Sequence, residues 1–159
     1  MSALEDNLSK ATAYMAKFAE TGVMNHINGA SVPAASGKMF ETISPVDGKV
    51  LAHVAKGDES DINAAVAAAK EAFKTWSKTP GKERRAILIK VAELIEARAE
   101  EIAFTECMDT GQALRFMSKA AIRGAANFRF FADQAPTAED GQALRNPTQM
   151  NVTSRRPIG

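Results

Sequence analysis

The hydrophobic pattern opens with a leading helix and continues into a region of short strands. Ser2 and Glu5 form a capping-box pattern, and apolar residues then recur at helical spacing until Gly22. Three short apolar runs follow, separated by Asn28-Gly29 and by the turn-rich residues 45–48. We therefore expect two hairpin connections among short antiparallel strands. The three runs cover residues 23–28, 38–44 and 50–55.

Two amphipathic helices are predicted next, because the apolar period changes from two to about 3.6 residues. The first can be capped by Asp58 or Ser60 and ends at residues 79–80. The second carries the strongest apolar stripe, and Gly111 is its predicted stop. That stripe consists of Leu88, Val91, Ala92, Ile95, Ala99 and Ile102.

A third helix is predicted from about residue 113 to residue 134, before Pro136 breaks the pattern. Its apolar stripe consists of Leu114, Met117, Ala121, Ala125, Phe128 and Ala132. We expect the three helices to stack around a common core. Apolar and polar residues then alternate over 150–154, which predicts a half-buried strand.

Composition excludes several classes of partner. Lys and Arg number 20 against 19 Asp and Glu, so the net charge of +1 gives no strong field for nucleic acid or an anionic membrane. No apolar stretch approaches the roughly 20 residues of a membrane-spanning helix. The single Cys107 cannot form an intramolecular disulfide, and no secretory signal is visible, so we expect a cytoplasmic location.

Several motifs occur in an order that resembles the opening of the aldehyde dehydrogenase superfamily, from about His26 to the last residue. No motif is specific alone, but their order and spacing together are. They are Ile27-Asn28-Gly29, Ser44-Pro45-Val46-Asp47-Gly48, Phe73-Lys74-Thr75-Trp76, Lys82-Glu83-Arg84-Arg85, Cys107-Met108-Asp109-Thr110-Gly111, Asn127-Phe128-Arg129-Phe130-Phe131 and Arg155-Arg156-Pro157-Ile158-Gly159.

The resemblance implies an α/β fold, seen here as its N-terminal part. Short antiparallel strands would join packed amphipathic helices and a terminal strand of the oligomerisation type. Residues 1–22 would be a leading helix, 23–136 the N-terminal part of the cofactor-binding domain and 137–159 the start of the oligomerisation strand region. The complete protein is then expected to form a homodimer or homotetramer.

The resemblance also implies a reaction. In this superfamily a Cys thiolate attacks the aldehyde, hydride passes to NAD, and a Glu-activated water releases the acid. NADP remains open as the cofactor. The family's Pro-Trp-Asn segment, glycine-rich cofactor loop, catalytic Glu and catalytic Cys all lie beyond the part matched here. We therefore expect no catalytic, cofactor-binding or metal-binding residue in this chain, and no activity from it alone.

Within the superfamily, residues 107–112 and 123–131 resemble dehydrogenases of muconic-type semialdehydes in aromatic catabolism. Their substrates include 5-carboxymethyl-2-hydroxymuconate semialdehyde. An Arg matching Arg123 is expected to bind the carboxylate end of the substrate, and Lys119, one turn earlier, to line the same entrance. The alternative is that Arg123 extends into water or pairs with a surface acid.

Other reactive side chains have ordinary structural explanations. Cys107 lies near a predicted helix end without a visible activator, so we interpret it as structural. His26 and His53 fall on predicted strands without metal-ligand spacing. A solvated helix face explains the acidic run of Glu96, Glu100, Glu101 and Glu106.

Two further functions stay open at this point. Within the enzyme class, the alternatives are the oxidation of succinate semialdehyde and the oxidation of betaine aldehyde. Arg123 disfavours both without excluding either. Outside it, the chain is a helical interaction module that binds a partner through its apolar stripes.

Overall fold

The computed structural model describes residues 2–158, and within them it contains five α-helices and three two-stranded antiparallel hairpins. The predicted α/β class is confirmed. The helices are α1 (Ala3–Thr21), α2 (Glu59–Trp76), α3 (Gly81–Ala97), α4 (Ala99–Thr110) and α5 (Leu114–Gln134). The strands are β1 (Asn25–Ile27), β2 (Ala30–Val32), β3 (Met39–Ile43), β4 (Val50–Ala55), β5 (Ala143–Arg145) and β6 (Met150–Val152).

The leading helix α1 has the capping box that its sequence predicts. The Glu5 N–H donates to Ser2 Oγ at 3.4 Å, and the Ser2 N–H donates to Glu5 Oε2 at 2.7 Å. Gly22 ends the helix with a φ of +67°, a value that residues with a side chain rarely adopt. The helix lies against α4 and β4.

The first strand has a different partner from the one predicted. β1 pairs with the three-residue β2, whereas β3 pairs with β4. Asn28 and Gly29 both have positive φ, so they form the tight two-residue turn that reverses the chain at once. β2 is too short to produce a recognisable alternation. Val23 instead forms a parallel bridge with Val54 of β4.

The long helix predicted up to Gly111 is in fact two helices. Arg98 ends α3 and begins α4 with a φ of −111° and a ψ of 18°, outside the helical region. The prediction was wrong because Ile95 and Ile102 continue the apolar stripe across the break, and no Pro or Gly marks it.

The core lies where α5 packs against both α3 and α4, and it is built largely from alanine. Ala92 of α3 and Ala125 and Ala132 of α5 have no exposed surface. Such small side chains let helix backbones approach closely. Gly81 serves the same purpose, because a Cβ there would lie 2.3 Å from the Ala135 carbonyl oxygen.

The prediction that all three predicted helices pack together is wrong for the first one, since α2 lies outside the stack. The contacts of α2 are mainly with β1, and its apolar residues Ile62 and Val66 are 63% and 46% exposed. The stack consists instead of the two halves of the split helix together with α5.

The hairpin of β5 and β6 projects from the end of the helical region. Residues 150–152 form a strand as predicted, but all of its residues are exposed, so the expected half-burial is wrong. Leu144, Met150 and Val152 present apolar side chains to solvent. The division into three regions at residues 22 and 136 stays a prediction.

Candidate functional site

The helical repeat gives α5 two contrasting faces. Its buried face contains Met117, Ala121, Ala125 and Ala132, four members of the predicted stripe. The prediction was wrong for Phe128, which is 38% exposed. The opposite side is exposed, and we call it the outer face of α5. It is formed by Phe116, Lys119, Arg123, Asn127 and Phe130, which follow one another at intervals of three or four residues.

Two ion pairs join α5 to α3. Arg129 donates to Glu96 at 2.6 and 3.2 Å, and Arg85 donates to Asp133 at 2.8 and 3.1 Å. The hydrogen bonds of the first pair raise the pKa of Arg129 and lower that of Glu96, because they favour both charged forms.

The start of α5 is held by the turn that precedes it. Gly111 ends α4 in the left-handed conformation with a φ of +73°, as predicted. A Cβ at this position would lie 3.0 Å from Pro45 Cγ, so the turn packs directly on the loop between β3 and β4.

Lys119 and Arg123 are the predicted substrate-binding residues, and the structure places both on the outer face. Both are exposed, and neither forms an ion pair or hydrogen bond with a side chain or backbone group of residues 2–158. The other cations of α5 are occupied, since Arg129 pairs with Glu96 and Arg115 lies 4.7 Å from the Phe116 ring centre. Two positive charges on this face are therefore available to an anion.

Open space and exposed aromatic rings lie on the same helix face as Arg123. Gly124 leaves open space beside it, because a Cβ built there would meet no atom within 4 Å. Phe116 and Phe130, on the same face, are 56% and 60% exposed. A guanidinium can hold a carboxylate by two parallel hydrogen bonds while aromatic rings contact a carbon chain.

The remaining reactive side chains form no second site. Cys107 is half-buried in the last turn of α4, where its carbonyl accepts the Gly111 N–H at 3.0 Å. His53 Nε2 lies 3.6 Å from Glu41 across the β3–β4 hairpin, and His26 is exposed on β1. Within residues 2–158, no three His, Cys, Asp or Glu side chains are grouped to hold a metal.

The acidic run on α4 does more than face solvent, which corrects part of the sequence interpretation. Glu100 accepts hydrogen bonds from Lys10 Nζ at 2.8 Å and from the Tyr14 hydroxyl at 2.7 Å. Lys17 pairs with Glu101, which also accepts two bonds from Arg98. No local pattern signals this network, because its bonds between α1 and α4 join residues 84 to 90 positions apart.

A groove of 480 Å³ lies between α1, the β3–β4 hairpin and α4. Phe18 and Phe40 line it, together with Thr42, whose hydroxyl lies 3.0 Å from Asp109 Oδ1. Neither predicted substrate-binding residue lines this groove. Across residues 2–158, no helix has the length and apolar character needed to cross a membrane.

Comparison with known proteins identifies relatives over most of the chain. Residues 32–159 match the model of the aldehyde dehydrogenase family. Aldehyde dehydrogenase 1 of Tanacetum cinerariifolium is 40% identical over 164 residues, which cover 100% of this chain and 32% of that protein. The 5-carboxymethyl-2-hydroxymuconate semialdehyde dehydrogenase of Escherichia coli is 38% identical, covering 86% of this chain and 29% of that protein. The chain thus spans about a third of the length of these relatives.

Solved structures show the same similarity. HpcC from Thermus thermophilus superposes with a TM-score of 0.91 at 35% identity, covering 94% of this chain and 29% of that chain. PnpE in complex with nicotinamide adenine dinucleotide superposes with a TM-score of 0.81, also at 35% identity, covering 86% and 28%. The predicted N-terminal arrangement of helices and short strands is confirmed.

Proposed function

Because the chain belongs to the aldehyde dehydrogenase family, we propose that the complete protein oxidises a carboxylated semialdehyde to the corresponding acid. A muconic-type compound is the proposed substrate, in particular 5-carboxymethyl-2-hydroxymuconate semialdehyde. The proposal rests on one observation, the exposed and unpaired Arg123 on a helix face that carries no acidic residue. Identity alone favours no substrate, since relatives of different names match at 40% and 38%.

Arg123 has the properties of a carboxylate-binding residue. Its planar guanidinium offers two parallel donors to one carboxylate. Lys119, one turn earlier, adds a second positive charge at the proposed substrate entrance. A cationic substrate such as betaine aldehyde is disfavoured, because it would meet both charges.

We propose NAD as the cofactor of the complete protein, with NADP as the alternative. The solved complex of PnpE with nicotinamide adenine dinucleotide supports this choice. We propose that the part of the protein described here binds and orients the substrate.

Three further properties are proposed for the complete protein. Residues 23–136 belong to its cofactor-binding domain, and 137–159 begin its oligomerisation region. The exposed apolar residues of β5 and β6 would then be covered in a homodimer or homotetramer. Light scattering would give the molar mass of that assembly. The proposed location is the cytoplasm, which cell fractionation would test.

The proposed function is tested by replacing Arg123 with Ala in the complete protein. For carboxylated semialdehydes we expect kcat/KM to fall, with a loss of about 1.5 to 3 kcal/mol of transition-state stabilisation, because a charge-assisted contact is lost. Aldehydes without a carboxylate should be affected much less.

Lys70→Ala is the control, since it removes an exposed cation from α2 that forms no ion pair within residues 2–158. Equal losses on carboxylated and uncarboxylated aldehydes with Arg123→Ala would remove the carboxylate-binding role.

A further inference from the structure

A small pocket lies where the first turn of α3 meets residues 155–157, which follow the β5–β6 hairpin. It has a volume of 220 Å³ and is lined by Arg84, Ala138, Glu139, Arg155, Arg156 and Pro157. This volume lies below the roughly 300–1,000 Å³ of pockets that hold drug-sized ligands. A ligand of this pocket must therefore be small.

Backbone contacts hold the two sides of the pocket together. The Gln142 N–H donates to Thr153 Oγ1 at 2.8 Å, and the Thr153 N–H donates to the Gln142 carbonyl at 2.9 Å. A Cβ at Gly141 would lie 1.7 Å from the Thr153 carbonyl oxygen, so only glycine allows the two segments to lie this close. These contacts keep the segment after Thr153 next to the loop that carries Glu139.

Positive charge predominates in the pocket. The side chains of Arg84, Arg155 and Arg156 bring three guanidinium groups to it, against the single carboxylate of Glu139. Within residues 2–158, the side chains of Arg155 and Arg156 form no ion pair and no hydrogen bond. One of the three positive charges is thus offset by Glu139, and two are not.

Arg84 and Glu139 form an ion pair whose partners differ in exposure. Arg84 Nη2 donates to Glu139 Oε1, and the side chain of Arg84 is 15% exposed whereas that of Glu139 is 55% exposed. The other two nitrogens of this guanidinium donate no hydrogen bond to residues 2–158, so they remain available to a second anion. Glu83 and Asp140, the acidic neighbours in sequence, do not line the pocket.

The number of guanidinium groups indicates the shape and charge of the ligand. One planar fork satisfies both oxygens of a carboxylate, whereas a phosphate offers acceptor oxygens on several sides and can accept from several arginines. The guanidinium groups also repel one another, and an anion with two negative charges would neutralise the two charges that Glu139 leaves. Both arguments favour a tetrahedral dianion.

We propose that this pocket binds a small dianion of the phosphate type, held by Arg84, Arg155 and Arg156. Glu139 competes with the ligand for Arg84. The bound anion joins three parts of the chain, because α3, the loop after α5 and the segment after β6 all line the pocket. The site is separate from the proposed substrate-binding residues, since neither Lys119 nor Arg123 lines it.

The experiment measures the binding of inorganic phosphate to the complete protein by isothermal titration calorimetry at constant ionic strength. We expect saturable binding. Arg155→Gln and Arg156→Gln should each weaken it about tenfold, because a charge-assisted contact is lost. Glu139→Gln should strengthen it, because Arg84 loses its internal partner. Malonate, a planar-ended dicarboxylate of the same charge, should bind more weakly than phosphate.

Arg145→Gln is the matched control, since it removes an exposed arginine of β5 that does not line the pocket. Arg123→Ala distinguishes this pocket from the outer face of α5, and both variants should bind phosphate like the wild type. Absence of saturable binding, loss of binding in Arg123→Ala, or equal weakening by Arg145→Gln and Arg156→Gln would overturn the inference. Weaker binding by Glu139→Gln, or malonate binding as tight as that of phosphate, would overturn it as well.

Discussion

Ala125 and Ala126 are adjacent and chemically identical, but the turn of α5 gives them opposite surroundings. Ala125 has no exposed surface and faces the helices packed beneath α5, whereas Ala126 is exposed. Because the core contains no large, fully buried side chain among the described residues, its packing depends on how closely the helix backbones approach.

We expect Ala125→Leu to destabilise the complete protein by about 1 to 3 kcal/mol, because three extra carbon atoms must push α5 away from its neighbours. Urea denaturation followed by circular dichroism measures the change. Ala126→Leu adds the same atoms to the adjacent exposed position and should cost much less. Equal destabilisation by both variants would contradict the close packing described for α5.

Residue patterns predicted those features that depend on neighbours along the chain. The spacing of Ser2 and Glu5 predicted the capping box, and Gly111 predicted the end of α4. The break at Arg98 was missed because the apolar stripe continues through it. For the candidate site, the stripe predicted which face of α5 is buried, and thereby which face presents Arg123. That no acidic side chain pairs with Arg123 became visible only in the structure, where Glu96 pairs with Arg129 and Asp133 pairs with Arg85.

Among the elements, α1 is joined to α4 by side-chain hydrogen bonds and one contact between aromatic rings. The match to the family model begins at residue 32, beyond α1. The helix is nevertheless joined to α4 by the bonds from Lys10 and Tyr14 to Glu100, and by the contact between the Tyr14 and Phe104 rings at 5.7 Å. Polar bonds at the surface thus accompany a small apolar contact.

Acid should loosen this attachment. Hydrogen bonds, first from Lys10 and then from Tyr14, lower the pKa of Glu100, and the bond to Glu100 raises the pKa of Lys10 and of Tyr14. A carboxyl whose folded pKa is lowered stabilises the fold above its ordinary pKa, near 4.3, and loses that effect as pH falls through the lowered value. The raised pKa of Lys10 acts at the opposite end and is lost only above its ordinary range near 10.4.

Limited proteolysis within α1 measures this effect between about pH 6 and pH 3, with an acid-tolerant protease. Cleavage should accelerate as the pH approaches 3 in the wild type. Glu100→Gln should cleave faster already at pH 6 and show a weaker pH dependence. Glu20→Gln is the control, since Glu20 is exposed on α1 and forms no ion pair within residues 2–158. A wild-type profile that does not change with pH would exclude this role for Glu100.

At the scale of the whole molecule, several apolar side chains of residues 2–158 stay exposed, among them those on one side of α2, on α5 and on the β5–β6 hairpin. Relatives about three times as long share this part of the fold. We propose that substrate binding and chemistry reside in different parts of the complete protein.

The purified 159-residue chain should therefore produce no NADH from a muconic-type semialdehyde and NAD. The reason is that aldehyde oxidation in this family is expected to need a reactive thiolate, and Cys107, the single cysteine of the sequence, is half-buried in a helix. NADH formation is measured by its absorbance, with the complete protein as the positive control. Turnover above background by the chain would show that these residues suffice for catalysis.

The position of α2 beside the stack, rather than within it, gives the chain a built-in optical reporter. Trp76, its single tryptophan, is the last residue of α2 and is 42% exposed. An element with few contacts opens at a lower free energy than the core. During denaturation, the fluorescence of Trp76 should therefore shift to longer wavelength before the circular dichroism signal of the alanine-rich helices disappears. The gap between the two transitions measures how weakly α2 is coupled to the rest of the chain.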